Sequence, residues 1–381
     1  MKTRLSFALV AFVLVVSMLL SACGTPATPA PAVAPAPAVK ETVVVPVTVV
    51  VPQTVVVQPT PVPASPVPPT AAPKVFVLVP KNLGNPYFDT SNNGAQEAAK
   101  ELGVTVLYQG PAAADATQQI QLLNSLIAQK VAGLAISADD SDALVPTGKA
   151  AMAAGIPVVS FDSAIGKDGR VLHINQAVLH DIGAIEIKMA LDLTGATGGK
   201  IAILSATSTA PNQNAWIEVM KEELKKPEYA KLQLVGVVYG DDDDTKSYNE
   251  ALGLITKYPD LKVIIAPTTV GIAASGRAVT DKNLMGKVFV TGLGTPNQMR
   301  AYVKNGASPE FALWNPADLG YLSVYALNAL TTGKITGKAG DKFTAGRLGD
   351  YTIQDDPTLG LNVLLGLPFI YNKDNIDKFN W

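Results

Sequence analysis

Val75-Phe76-Val77-Leu78-Val79-Pro80-Lys81-Asn82-Leu83-Gly84-Asn85-Pro86-Tyr87-Phe88 is the stretch on which the fold turns. Its first half is an unbroken apolar run of buried-strand length. Its second half leads into a helical pattern from about Phe88 to Leu102, with Gly103 as a C-terminal stop. A strand with no polar face belongs in a sheet covered on both sides. The same unit recurs. Strand 104–109 precedes helix 117–129, strand 133–137 precedes helix 142–154, and strand 157–162 leads through a loop to strand 171–175. Helices 178–193, 212–225, 245–257 and 270–281 then alternate with strands 200–206, 232–239, 263–266 and 288–293. Thr295-Pro296 and Asn315-Pro316 mark two more helix starts, each with a capping side chain before a first-turn proline. Alternation of this kind predicts an α/β fold of two doubly wound parallel-sheet lobes.

Upstream the chain changes character twice. Lys2 and Arg4 precede an apolar run from Leu5 to Leu20, followed by Leu20-Ser21-Ala22-Cys23. That is the layout of a secretory signal (residues 1–23) and is excluded from core reasoning. The run is shorter than the ~20 residues of a spanning helix. The tetrapeptide resembles a bacterial lipobox, which makes Cys23 the expected site of lipidation and a lipid anchor the expected tie to the membrane. Residues 24–73 are built from Pro, Ala, Thr and Val, with Lys40 and Glu41 the only charges, and are expected to be an extended stalk.

Composition removes several function classes. Thirty Lys and Arg against 32 Asp and Glu give a formal charge of −2, with no basic block, so nucleic-acid binding is disfavoured. Cys23 is the single cysteine, so no internal disulfide exists and no thiol is left for catalysis. His173 and His180 fit a strand residue and an exposed first-turn residue. No Gly-x-Ser-x-Gly elbow appears. Gly195-Ala196-Thr197-Gly198-Gly199-Lys200 is a residue short of a phosphate loop, lacks the hydroxyl after its lysine and precedes a strand; it is a turn. Asp241 to Asp244 is a dense acidic run, but adjacent carboxylates do not converge on one cation. A solvated loop capping the next helix is the expected role. No enzyme activity, cofactor or metal is expected.

In doubly wound sheets ligands bind beyond the carboxyl ends of the strands. Polar and aromatic residues gather there: Lys81, Asn85, Tyr87, Phe88, Asp162, Asn212, Gln213, Pro267 with Thr268 and Thr269, Gly294, and Trp314. A sugar suits such a set, because aromatic rings cover its C–H faces while carboxylate, amide and ammonium groups pair with its hydroxyls. Tyr87 and Phe88 are expected as one wall and Trp314 as another. Lys81, Asp162, Asn212 and Gln213 form the rim, and Phe161 is core.

At these residues a family resemblance emerges. Val79 to Phe88, and Ile156-Pro157-Val158-Val159-Ser160-Phe161-Asp162-Ser163, resemble the opening and fourth strands of type I periplasmic sugar-binding proteins. Asn212-Gln213-Asn214-Ala215-Trp216, Gly240 to Asp244, Ile265 to Thr269, Thr291 to Arg300 and Phe311 to Gly320 resemble, more narrowly, the rhamnose-binding proteins of bacterial ABC importers. At lower similarity they resemble the binders of the furanosyl autoinducer. The likeness spans Lys74 to Trp381. It implies that Lys81, Asp162, Asn212-Gln213 and the 266–269 stretch meet the ligand. Asn212 and Thr269 depart from the autoinducer pattern, and Ser163 stands where ribose binders carry arginine.

The resemblance implies a receptor for rhamnose or a similar deoxyhexose, with the autoinducer as the alternative. Its expected partners are the membrane subunits of an ABC permease, and a monomer is expected. It also implies two lobes, 74–176 plus 314–340 and 177–313 plus 341–381, crossing near Gln176, at Phe311–Trp314 and after Gly333. Ligand would close the lobes over itself. A sensory receptor and an extracellular enzyme are the competing readings. The signal and the missing headpiece exclude a DNA-binding regulator.

Overall fold

The structure is a computed structural model that describes residues 73–381; Cys23 and residues 24–72 lie outside them. The first lobe is laid down as β1 (Val75–Val79), α1 (Pro86–Leu102), β2 (Thr105–Tyr108), α2 (Ala116–Ala128), β3 (Gly133–Ile136), α3 (Val145–Ala153), β4 (Val158–Phe161) and β5 (Leu172–Asn175). The second continues with α4 (Leu179–Thr194), β6 (Gly199–Ser205), α5 (Pro211–Glu223), β7 (Leu232–Tyr239) and α6 (Asp244–Lys257). Then come β8 (Leu261–Ala266), α7 (Thr269–Asp281), β9 (Phe289–Gly292), α8 (Pro296–Asn305) and β10 (Glu310–Leu313). The chain returns through α9 (Pro316–Thr331), β11 (Lys342–Thr344), β12 (Asp350–Thr352), β13 (Gln354–Asp356), β14 (Gly360–Leu364) and β15 (Phe369–Asn372).

The first sheet has the order β13-β14-β5-β4-β3-β1-β2 and the second β7-β6-β8-β9. All pairs are parallel except β13 with β14. A bridge from Leu293 to Ala312 adds β10, which pairs antiparallel with β15. Both lobes therefore have the 2-1-3-4-5 doubly wound order, whose switch point lies between the first and third strands. The expected α/β architecture is borne out. β1 and β4 have no exposed face, which is why their sequences do not alternate.

Two of the helix starts that bound the cleft carry a side-chain cap. Asn85 accepts from Tyr87 N at 3.1 Å ahead of Pro86, and Asn315 from Ala317 N at 3.0 Å ahead of Pro316. Thr295 departs from expectation: it makes no cap, and its hydroxyl donates to Gln298 Oε1 at 2.6 Å. α1 and α9 touch backbone to backbone. A Cβ on Gly94 would sit 1.8 Å from Ala317 O, and one on Gly320 1.9 Å from Ser91 O. That contact places α9 in the first lobe and fixes the direction in which α1 presents Tyr87 and Phe88.

The segment 341–381, expected whole in the second lobe, is divided. β14 joins the first sheet beside β5 with Val363 opposite Ile174, while β15 joins the second lobe. The third crossing is thus 365–368, where Leu365 N and Gly366 N donate to Asn175 O and Gln176 O of the first crossing. Strands of three to five residues after a run of glycines carry too little periodicity to be assigned to a sheet.

Candidate functional site

Lys81 follows β1 and is 2 % exposed. A buried ammonium needs acceptors. Nζ donates to Asn212 Oδ1 at 2.8 Å and Gln213 Oε1 at 3.0 Å, and lies 3.9 Å from Asp162 Oδ2. Asn212 and Gln213 come from the first turn of α5, so these bonds cross from one lobe to the other. Asn212 Nδ2 returns a bond to Asp162 Oδ1 at 3.2 Å, and Thr269 Oγ1 reaches Asn85 Oδ1 at 3.4 Å.

Asp162 ends β4 at φ +58°, left-handed backbone that a non-glycine residue adopts at a cost. Ser163 N donates to Phe161 O around it. The turn aims the carboxylate into the cleft, where Ser137 donates to Oδ2 at 2.7 Å. Burial pushes the Asp162 carboxyl up, while Lys81 and the hydrogen bonds from Ser137, Tyr87 and Asn212 hold it down.

Together these groups surround a cavity of about 30 Å³ lined by Lys81, Asn85, Tyr87, Phe88, Asp162, Gln213, Pro267, Thr268, Thr269 and Trp314. Of the residues selected from sequence, two stand differently. Asn212 is one step back, holding Lys81 and Asp162. Gly294 does not line the cavity; Leu293 does, while Gly294 packs against Met299, Ile272 and Phe311.

The aromatic walls also differ from expectation. Trp314 is not opposite Tyr87 but edge-on to it, at 6.2 Å and 86°, with its Nε1 donating to Tyr87 Oη at 2.8 Å. Trp216, absent from the expected set, joins them at 6.0 Å from Trp314. Phe161 is core, edge-on to Phe88.

Asp242 is the main residue that sequence reasoning missed. It stands just past β7, lines the cavity, and accepts from Thr268 Oγ1. Asp241 and Asp242 both have positive φ, and that double twist turns one carboxylate inward. The acidic run is therefore not one solvated loop. Asp241 pairs with Lys246 and Asp244 with Arg277, Asp243 caps α6 by accepting from Lys246 N, and Asp242 is buried. The strand-end rule pointed to it, but its neighbours disguised it. Asp139, past β3, is also buried, and its carboxylate oxygens have no partner among the described residues. Burial pushes it up to about 8, with Lys81 opposing and Asp242 and Asp115 adding to the rise. Gln119 of α2 ties these ends together, donating to Pro80 O and Ser137 O and accepting from Asp139 N.

Such a site offers fixed donors and acceptors around an aromatic surface. It holds no nucleophile–base pair. Among the described residues no cluster of three or more His, Cys, Asp or Glu side chains could hold a metal, and no helix is long and apolar enough to cross a membrane.

Comparison with known proteins finds solute-binding relatives. A crystal structure of a sugar ABC transporter protein from Actinomyces odontolyticus is 45 % identical, covers 81 % of this chain and 98 % of its own, and superposes with a TM-score of 0.65. An ABC transporter solute-binding protein from Clostridium phytofermentas, solved with bound L-rhamnose, is 39 % identical, covers 81 % of this chain and 98 % of its own, and gives 0.78. The D-allose-binding periplasmic protein of Escherichia coli is 27 % identical over 268 residues, 68 % of this chain and 86 % of that protein. Residues 76–335 match the periplasmic binding protein domain. The chain belongs to the periplasmic binding protein family and has its type I fold.

Proposed function

We propose that this protein captures L-rhamnose or a similar 6-deoxyhexose between its lobes and delivers it to an ABC permease. The supporting observation is the lining of the cavity, charged and amide groups set around aromatic rings. At about 30 Å³ the space is far below the ~300–1,000 Å³ of ligand pockets, so a sugar ring enters only as the lobes part. Two lobes share it, and its charged groups are tied by bonds that cross between them. The 39 % identical protein holds L-rhamnose. The relatives are solute receptors, and this chain belongs with them rather than with enzymes. Ligand hydroxyls would replace the Asn212 and Gln213 contacts to Lys81 and Asp162, so that binding biases the open–closed equilibrium.

Calorimetric titration against deoxyhexoses, hexoses, pentoses and the furanosyl autoinducer tests the reading; L-rhamnose should bind most tightly, and a pentose or the autoinducer in first place rejects it. Asp162→Asn should weaken that binding at least tenfold. The substitution turns one acceptor into a donor, and a mispaired buried group costs about 1–3 kcal/mol. Ser137, Tyr87 and Asn212 also hold this carboxylate, so the unliganded melting temperature should fall too. Unchanged affinity with a lower melting temperature would make Asp162 structural only.

We further propose that Cys23 carries the lipid that holds the monomeric receptor on the outer face of the cell membrane. Cys23→Ala should abolish incorporation of labelled fatty acid; equal labelling of the two proteins rejects the anchor.

A further inference from the structure

Beside the first cavity lies a second and larger one, of about 180 Å³, between the β4–β5 connection, the first crossing, the start of α5 and the Thr358-Leu359 turn. Asp162 and Trp216 border both cavities. The Asn212–Asp162 hydrogen bond, 3.2 Å long and made across the lobes, stands at their junction. Opening the lobes breaks that bond, and a ligand hydroxyl that took its place would leave the two spaces joined.

Two groups in the second cavity lack the partners their chemistry requires. Gln176 is 2 % exposed, and its Oε1 has no hydrogen-bond partner among the described residues. A buried carbonyl left this way costs free energy until a donor reaches it. Arg170 is 6 % exposed. Its Nε, Nη1 and Nη2 donate to the main-chain carbonyls of Ile165, Leu361 and Leu359, and no carboxylate neutralises it among the described residues. Its pKa is lowered to about 10 by burial alone. Buried charges are ordinarily paired. Lys167 adds a second positive charge to the lining, and the single carboxylate there, Asp162, is already held from the other side.

We propose that this cavity is a second sugar subsite, and that the ligand is a deoxyhexose glycosidically linked to an acidic sugar, a uronate. The deoxyhexose occupies the first cavity. The uronate carboxylate neutralises Arg170, and one of its hydroxyls donates to Gln176 Oε1. Trp216, common to both linings, packs at the linkage. This assignment rests on the sugar-binding reading above and extends it from one ring to two.

The test is calorimetry on the full-length protein with five ligands. They are L-rhamnose, the two disaccharides of L-rhamnose and glucuronic acid with either sugar at the reducing end, and the methyl ester of each disaccharide. One acidic disaccharide should bind at least fivefold more tightly than both L-rhamnose and its own methyl ester; any smaller ratio overturns the proposal. Arg170→Gln should erase the preference for acid over ester while L-rhamnose affinity stays the same. Arg170 also supports three carbonyls, so that variant can fail to fold, and the acid–ester comparison on the unaltered protein then decides alone. If L-rhamnose binds and neither disaccharide does, the second subsite falls and the first stands. If none of the five binds, the deoxyhexose reading falls with it.

Discussion

Lys81→Met should destabilise the protein by about 3–5 kcal/mol, the usual cost of removing one partner from a buried ion pair. The side chain of methionine fills most of the same space, so the loss is electrostatic. Lys81 is the ammonium that opposes the burial of Asp139, Asp162 and Asp242 at once. Without it Asp162 loses its ion-pair partner, and the amide oxygens of Asn212 and Gln213 lose their shared donor.

The effect depends on pH, and its sign follows from the direction of the shifts. Burial raises all three carboxyls, Asp139 to about 8, and Lys81 lowers all three. A carboxyl whose folded pKa is raised binds more protons folded than unfolded above its unfolded value of about 4, so stability falls as pH rises until the folded pKa is passed. Wild type should lose stability this way between about pH 4 and about 8 through Asp139. In Lys81→Met the carboxyls rise further and the fall is steeper. Urea unfolding at pH 5 and pH 8 measures it, and the penalty should be larger at pH 8. An equal penalty at both would mean that Lys81 is not what opposes the rise of these carboxyls.

The parts of this molecule that were legible in its sequence are those where one physical demand acts alone. β1 and β4 are buried nearly throughout, so they read as apolar runs broken only by Ser160, and the residues just past them, Lys81 and Asp162, stand out as charges against that background. Asn85 and Asn315 announce helices because a cap followed by proline has few other uses. Where two demands overlap, the signal was lost. Asp242 lies past the carboxyl end of β7 as Asp162 does past that of β4, but two residues further on, and it sits among three carboxylates that pair or cap. What separates it is a pair of positive φ angles, which sequence does not display at aspartate as it would at glycine. Trp216 sits in an apolar helical pattern that core packing explains equally well. The division of 341–381 between lobes depends on which sheet edge is free, a property of the whole topology rather than of the segment.

Trp314→Ala should weaken sugar binding by about 2–4 kcal/mol, the range for a buried aromatic anchor. Trp314 is 4 % exposed at the crossing between β10 and α9, and it lines the cavity while standing edge-on to Tyr87 and Trp216. Truncation removes a ring from the apolar surface. It also removes the Nε1 donor to Tyr87 Oη, the hydroxyl that in turn reaches Asp162. These two losses separate in Trp314→Phe, which keeps a ring and drops the donor. If contact with the C–H face carries the affinity, Phe should recover most of it. If orientation of Tyr87 toward Asp162 carries it, Phe should bind as poorly as Ala. Titration calorimetry on all three proteins reads the affinity, and urea unfolding reads the stability cost, expected near 3–5 kcal/mol for Ala because a large core side chain is lost. A folded Trp314→Ala that binds sugar as wild type does would show that the ring serves the junction between the lobes and not the ligand.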